Sequence, residues 1–534
     1  MVNIGESVSA KSNYVELEET TDTRLVDLQS LGFLGHYFVL GLVFGGLSST
    51  LVGVFYGYLC VPNYIMNTYI SIVNMPLTFG FVFGLVSDSC PIWGRRRTPY
   101  MAFGWTVCTA ALIMLSLLPL PAPYYCIGWD GNYLMSELPC NPDASKAAPL
   151  YIMLLCLSVL GAVIADAAAS GLLVEYTQRE PEERRGSMVA KTQMATYLGR
   201  GVATGVVGIG MNSKQYTGTF DWGLSFNQAC FICLMPAACL CLCLFKGAVQ
   251  EDLIKRSEMI PFRHYLNSCW ILLTQKVVLY LIIWELGMAL VGGISTPAGV
   301  SVSLIWAGQR QLQRTLFSFA GYVLLVICIS FVKRHLLDCN WRAMLCLGLT
   351  AYIFIDTVPT FLTTYNVIRN QYFFLGDRLL EDLPTAVVNV VSSLILAEMA
   401  DVGNEALFYG LLNSISTLFV PVSSALSNYL FSYLRPNLSD RNNYLDDSSA
   451  FRNTVALSYC ITYGFSFFSL IFLYFIPGQK QQALQWKQDW PRYQAFAFGI
   501  VAIVVCAFTY TFAVFILTMD ISTSCLRFVG GQGC

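Results

Sequence analysis

Apolar runs of roughly 20 residues, separated by short polar or Pro/Gly-bearing segments, follow one another along almost the whole chain. At 1.5 Å per residue, a helix of that length crosses the roughly 30 Å hydrocarbon layer of a bilayer. The pattern predicts spans at 34–58, 68–86, 100–118, 149–173, 192–211 and 224–245, then at 277–299, 313–332, 343–363, 382–400, 405–433 and 453–476. A thirteenth apolar run covers 493–519. Residues 1–30 are polar and acidic, without a positively charged leader, and read as a disordered tail. The charged, partly amphipathic segment 246–276 separates two sets of six spans, at 31–245 and 277–476, and 477–534 follows as an extension.

The fold class is therefore an all-α polytopic membrane protein. Two six-helix halves joined by a linker is the plan of the major facilitator fold, in which solute binds near the midplane between the halves. Gly45-Gly46 in the first span and Gly292-Gly293, followed by Pro297, in the seventh occupy equivalent places. Paired glycines of this kind point to a transport pathway, and close helix packing explains them equally well.

Composition narrows the function. Of 534 residues, 55% are apolar and only 12% charged, against about 25% in soluble domains. With mean hydropathy at +0.57, a soluble enzyme is excluded. A net charge of −2 leaves no basic face for nucleic acid. The three histidines have no paired acid at catalytic spacing and no metal-ligand spacing, so no enzyme activity, cofactor or metal is expected. Lys and Arg set the orientation. With the N-terminus cytoplasmic, 20 of 31 fall in inside segments and nine in outside segments, and Arg200 and Arg314 lie within predicted spans. A plasma-membrane location is expected.

Most of the 19 cysteines lie in apolar runs and behave as small hydrophobes. Cys126 and Cys140 flank a polar stretch in the long outside loop, where a disulfide can form. Cys525 and Cys534 close the C-terminal segment and can pair if 493–519 spans the membrane. Asn437-Leu438-Ser439 is a glycosylation sequon in an outside loop.

The sharpest local signal lies between the second and third spans. Gly84-x-x-x-Asp88 is followed by Gly94-Arg95-Arg96-Arg97. Small residues allow close helix approach, and an Asp that pairs with Arg can break and reform that contact as the halves rock, which makes these residues a candidate cytoplasmic gate. The interval from Asp88 to Gly94, with its Ser-Cys-Pro-Ile run, resembles the folate-biopterin transporter family. Asp166-Ala-Ala-Ala-Ser-Gly-Leu-Leu-Val-Glu175 with Arg179 is similar to that family's fourth helix and following loop. Leu375-Gly376-Asp377 resembles a signature ahead of its tenth helix, and Gly403-Asn404-Glu405-Ala406-Leu407-Phe408 resembles the segment opening its eleventh. The chain departs from the family at Ser170, where a second acid is common, and at Thr98, where an arginine is usual. The resemblance implies transport of folate, pterin or an S-adenosylmethionine-like solute. A sugar-cation symporter of the same superfamily and a non-transporting membrane nutrient sensor are the alternatives.

An ionisable residue inside a span is expensive and marks a candidate site. Asp166, Arg200 and Glu285 each lie eight residues from the cytoplasmic end of a predicted span, roughly 12 Å deep, close to the midplane. Arg200 can pair with Asp166 or bind a solute carboxylate through its planar fork. Glu285 can accept paired hydrogen bonds from a pterin edge, and either acid can carry a coupling proton. Trp284 and Tyr197 can stack on a flat ring. Asp356, three residues before Pro359, is the fourth candidate. His36 is expected to reach toward the cytoplasmic interface.

Overall fold

The computed structural model describes residues 31–61, 69–70, 72–128, 133–134, 138–179, 186–216, 218–249, 251, 253, 267, 270–336, 339–400, 405–438, 440–489, 493–519, 523 and 526. The tail 1–30, most of 246–276, and Cys525 with Cys534 lie outside the described residues. Eleven helices among those described are long and apolar enough to cross a membrane. In chain order the helices are α1 (Leu31–Tyr58), α2 (Ile72–Ser89), α3 (Thr98–Leu117), α4 (Ala148–Arg179), α5 (Ser187–Ala203), α6 (Phe226–Phe245) and α7 (Lys276–Gly287). They continue as α8 (Gln311–His335), α9 (Trp341–Thr364), α10 (Gln371–Met399), α11 (Phe408–Phe431), α12 (Ser449–Phe475) and α13 (Gln494–Met519). The eleven do not include α5 and α7, each of which passes into a π-helical turn, at Thr204–Gly208 and Met288–Gly292.

Local chemistry sets the helix starts. Ser225 accepts from the Gln228 amide while the Gln228 side chain accepts from the Ser225 amide, a reciprocal cap at the start of α6. Asn340 and Ser448 cap α9 and α12 through their side-chain oxygens. The α2–α3 connection turns on Trp93 and Gly94, both at positive φ, with Ile92 and Arg95 exchanging backbone hydrogen bonds across it. Gly94 thus sits where the backbone needs a left-handed residue.

Two helices depart from the sequence pattern. The tenth begins at Gln371, eleven residues before the predicted start, because Asn370 accepts from the Tyr372 amide and caps a polar first turn that hydropathy alone assigns to a loop. Leu375-Gly376-Asp377 therefore lies inside α10 rather than ahead of it. The eleventh is interrupted at Phe419, just before Pro421, whose missing N–H cannot continue the ladder.

Packing joins the two sets of helices. α3 lies against α4 and α6; α10 lies against α8 and α9. Across the sets, α2 packs on α11, α5 on α8, and α4 on α10 and α11. With no hydrophobic drive between helices in lipid, close van der Waals approach carries such contacts. On α3 and α4, Gly104 and Gly161 face each other backbone to backbone. Gly199 puts α5 against the Phe38 carbonyl of α1, and Gly201 and Gly205 of the same helix face Tyr322 and Phe319 of α8. Gly45 meets the Arg200 backbone, and Gly293 meets Ser423. These paired glycines are packing positions. α13 rests on α7 and α11: Thr511 donates to the Leu418 carbonyl at 3.3 Å, and Phe508 lies edge-on to Phe79 of α2 at 5.3 Å.

Candidate solute site and gate

Asp166 sits on α4, thirteen residues from Arg179, roughly 20 Å along the axis. Arg200 is thirteen residues into α5, an equal depth from the same end, and Glu285 is nine residues into α7, roughly 13 Å. Arg200 and Glu285 both lie within one turn of where their helices pass into π geometry. A π turn adds a residue and re-aims the side chains beside it, and such turns gather at functional sites.

Two of the three charges meet around one tyrosine, and the third, Arg200, joins them through Asp166. Tyr409 of α11 interacts electrostatically with Asp166 and with Glu285, and its hydroxyl reaches Ser393 of α10. Tyr37 of α1 interacts with Asp166, Tyr409 and Ser170. Asp166 and Arg200 interact through space, but among the described residues they make no ion-pair contact. The Arg200 guanidinium instead lies 5.8 Å from the Tyr197 ring and 6.0 Å from the Phe44 ring, and its buried Nε has no hydrogen-bond partner. A cation near aromatic faces with an unused donor has fork capacity left for an anion. Glu285 makes no hydrogen bond or ion pair among the described residues.

Cross-set polar contacts frame this centre. Asn389 of α10 donates to the Tyr197 hydroxyl at 2.6 Å, and Gln193 of α5 donates to Ser393 at 3.1 Å. Tyr197 stacks on Tyr322 of α8 at 6.3 Å between centroids. Trp284 is buried, 5% exposed, with its indole N–H unpartnered. Tyr37, Tyr409, Asn389 and Gln193 carry no sequence signal of their own. Each is an uncharged polar residue in an apolar run, where many such residues only bond back to their own helix.

Asp356 is not part of this group. It lies in the α9–α12 contact, where the Tyr463 hydroxyl donates to its carboxylate at 2.9 Å and Thr360 approaches at 3.5 Å. His36 does not reach toward an interface: it is fully buried and accepts from the Trp105 indole of α3 at 3.0 Å.

The candidate gate residues form a compact network at the end of the bundle where α3 begins. Arg97 donates to Asp88, both side chains fully buried, and its Nη2 lies 3.3 Å from Glu175 of α4. Ser87 donates to the Arg96 carbonyl at 2.7 Å. Glu251, beyond α6, accepts from the Arg96, Arg97 and Thr98 amides at 2.6 to 2.9 Å and from the Thr98 hydroxyl at 3.0 Å. A carboxylate on three free amides at a helix start satisfies orphan donors and favours the positive end of the helix dipole. Gly84 is buried on α2, and Arg95 and Arg96 are partly exposed at the turn. Across the sets, the Phe81 amide donates to Ser414 of α11 at 3.1 Å, where Gly80 and Gly410 bring the backbones together.

At the other end, Cys126 and Cys140 are joined in a disulfide. Asn437 is exposed in the α11–α12 connection. Nearby, Asp447 accepts two hydrogen bonds each from Arg369 and Arg452, at 2.6 to 2.9 Å, and Arg369 lies over the Trp306 ring at 4.6 Å.

Two sets of helices, packed through α2–α11 and α5–α8 around partly buried charges, define the major facilitator fold. Solved structures agree. A D-xylose-proton symporter superposes with a TM-score of 0.57 at 13% identity, covering 85% of this chain and 98% of its own. The human organic anion transporter MFSD10 gives 0.53 at 13%, covering 82% and 99%, and the Escherichia coli xylose transporter XylE, partially occluded and inward open, gives 0.53 at 12%, covering 83% and 97%. Residues 50–246 match the family model described as PUCC protein. That match takes in the gate, Asp166 and Arg200. No curated protein matches the chain.

Proposed function

We propose that this chain is a proton-coupled secondary transporter that carries a folate, a pterin or a related heterocyclic anion across the plasma membrane by alternating access, with its N-terminus in the cytoplasm. The observation that carries the reading is the meeting of Asp166 and Arg200 from the first set of helices with Glu285 and Tyr409 from the second. A solute held there touches both halves, so its binding energy can drive their relative motion. Arg200 receives the anionic end, and Glu285 accepts from a ring edge or carries the proton. Asp88, Arg95, Arg96 and Arg97 belong to the gate that opens and closes one end, with Glu175 and Glu251 fixing it. No chemical conversion of the solute is called for.

The sugar-cation alternative has one observation in its favour, the overlay on xylose-proton symporters, which at 12 to 13% identity is a likeness of fold. Uptake of labelled folate, biopterin, S-adenosylmethionine and sucrose, with and without a proton gradient, separates these readings. Saturable, gradient-driven accumulation of folate or biopterin, lost in Glu285→Gln at equal surface expression, supports the proposal. Accumulation of sucrose alone overturns it, and binding without accumulation of any of the four identifies a sensor.

A further inference from the structure

A cavity of about 210 Å³ lies between α8 and α10, lined by Arg314, Phe317, Ser318 and Tyr322 of the one and Leu375, Glu381 and Asp382 of the other. None of these residues is among the charges that mark the central site. Their places along the helices give the cavity its shape. Arg314 is three residues from the start of α8, roughly 5 Å, whereas Tyr322 and Asp382 are each eleven residues from the starts of their helices, roughly 16 Å. Both helices begin at the disulfide end of the bundle. The cavity therefore carries a guanidinium near its rim, the Phe317 ring midway, and two carboxylates beside the Tyr322 ring at its base.

Its base adjoins the centre. Tyr322 stacks on Tyr197, which is held by Asn389 and faces Arg200, so one aromatic layer separates cavity from charge centre. Tyr197 interacts electrostatically with Asp382 on the cavity side and with Arg200 on the other. The α8 backbone is shaped to admit Asp382: a Cβ on Gly321 would overlap its carboxylate.

We infer that this cavity is a staging site that receives the amino-heterocycle end of the solute before it passes the Tyr322–Tyr197 pair. The inference rests on the transport reading above. A ring that presents an N–H beside an amino group meets the paired acceptors of Glu381 and Asp382, its flat face meets Phe317 and Tyr322, and a carboxylate tail meets Arg314. The cavity is smaller than the 300 Å³ or so that encloses a whole drug-sized ligand. It holds the ring and leaves the tail at the rim. The same two chemistries, carboxylate for the ring and guanidinium for the tail, recur at Glu285 and Arg200, so the solute exchanges like partners for like as it moves inward. Multi-site passage of this kind keeps each stop weak enough to leave.

Equilibrium binding of tritiated folate and of unsubstituted 2-amino-4-oxopteridine to the purified full chain tests the assignment without requiring transport. Asp382→Asn and Gly321→Ala should each weaken pteridine binding about tenfold or more, while Asp356→Asn, outside both sites, stays within twofold. Arg314→Gln should weaken folate but leave the pteridine, which has no carboxylate, within twofold. A melting temperature within a few degrees of wild type shows that each variant is folded, and where Gly321→Ala fails this check Asp382→Asn decides. Wild-type pteridine affinity in Asp382→Asn, or no pteridine binding by the wild type, overturns the staging site. If Asp382→Asn binds normally and uptake persists, the transporter stands without the site; if binding behaves as described but nothing accumulates, the site stands and the transport reading falls.

Discussion

Arg97, the residue just before α3, reaches back to Asp88 of α2, and neither side chain has exposed surface. Taking both charges out of solvent is costly, so the pair persists only while each satisfies the other. Glu175 gives Arg97 a second acidic partner, with its side chain 25% exposed. The two ends of the pair are therefore unequal. Arg97→Met removes the guanidinium from both Asp88 and Glu175 and should cost about 3–5 kcal/mol, whereas Asp88→Asn leaves Arg97 with Glu175 and should cost distinctly less. The double variant Asp88→Asn/Arg97→Met should recover part of the Arg97→Met loss. Melting temperatures of the four proteins in one detergent check this; equal losses for the two single variants would contradict it.

The Glu251 cap ties the segment beyond α6 to the start of α3. Its carboxylate takes three amides and a hydroxyl, so Glu251→Ala should destabilise by about 1–2 kcal/mol, the usual cost of losing a cap with charge-assisted bonds. Glu251→Gln keeps one acceptor oxygen and should fall in between. Hydrogen exchange read by mass spectrometry should speed up at the amides of residues 96–98 in the order wild type, Gln, Ala, while peptides in α9 stay unchanged. Uniform acceleration over the whole protein would instead indicate global destabilisation.

Gly199 has no room for a side chain, because a Cβ there would overlap the Phe38 carbonyl and crowd the Leu42 amide. Backbone atoms on the facing helix cannot rotate away, so Gly199→Ala must push α1 and α5 apart, at about 1–3 kcal/mol or more. Gly201 faces the Cβ of Tyr322 at 3.3 Å, a contact that a small shift relieves. Gly201→Ala should therefore be milder than Gly199→Ala in melting temperature, and the reverse order would show that the α5–α8 contact is the tighter of the two.

The helices, the Asp88–Arg97 turn and the three charges within the spans were legible in the sequence for physical reasons. Apolar run length is fixed by bilayer thickness, and a charge inside such a run stands out because it is costly. What was hidden has equally physical causes. The outer turns of α10, with Glu381 and Asp382, are polar because they line a cavity, so hydropathy assigns Glu381 to a loop and stops the helix at Asp382. Tyr409 links Asp166 to Glu285 only through the α4–α11 and α7–α11 contacts, which no local pattern encodes. Glu251 caps a helix some 150 positions earlier in the chain, and Asp356 looks like Asp166 in sequence but packs against Tyr463.

The Asp447 clasp gives the molecule a defined response to acid. Partial burial pushes the Asp447 carboxyl up, but the hydrogen bonds from Arg452 and Arg369 outweigh this and hold it at about 2, below its ordinary 3.8. A carboxyl whose pKa is lowered by folding stabilises the folded state at pH above its unfolded value, and that contribution is lost as pH falls through the folded one. The clasp is therefore intact at neutral pH and should fade between about pH 4 and pH 2, releasing Arg369 from its place over Trp306 and loosening the connection between α9, α11 and α12. Asp447→Asn should remove this dependence. At pH 7 the variant should melt lower than wild type, by an amount equivalent to about 1–3 kcal/mol for lost charge-assisted bonds, and the two proteins should converge as the pH approaches 2. Trp306 packs on Tyr444 and Phe451 in the same cluster, so its fluorescence should change between about pH 4 and pH 2 in wild type and stay at the released level throughout that range in Asp447→Asn. Parallel melting curves for the two proteins from pH 7 to pH 2 would show that the clasp does not govern acid stability.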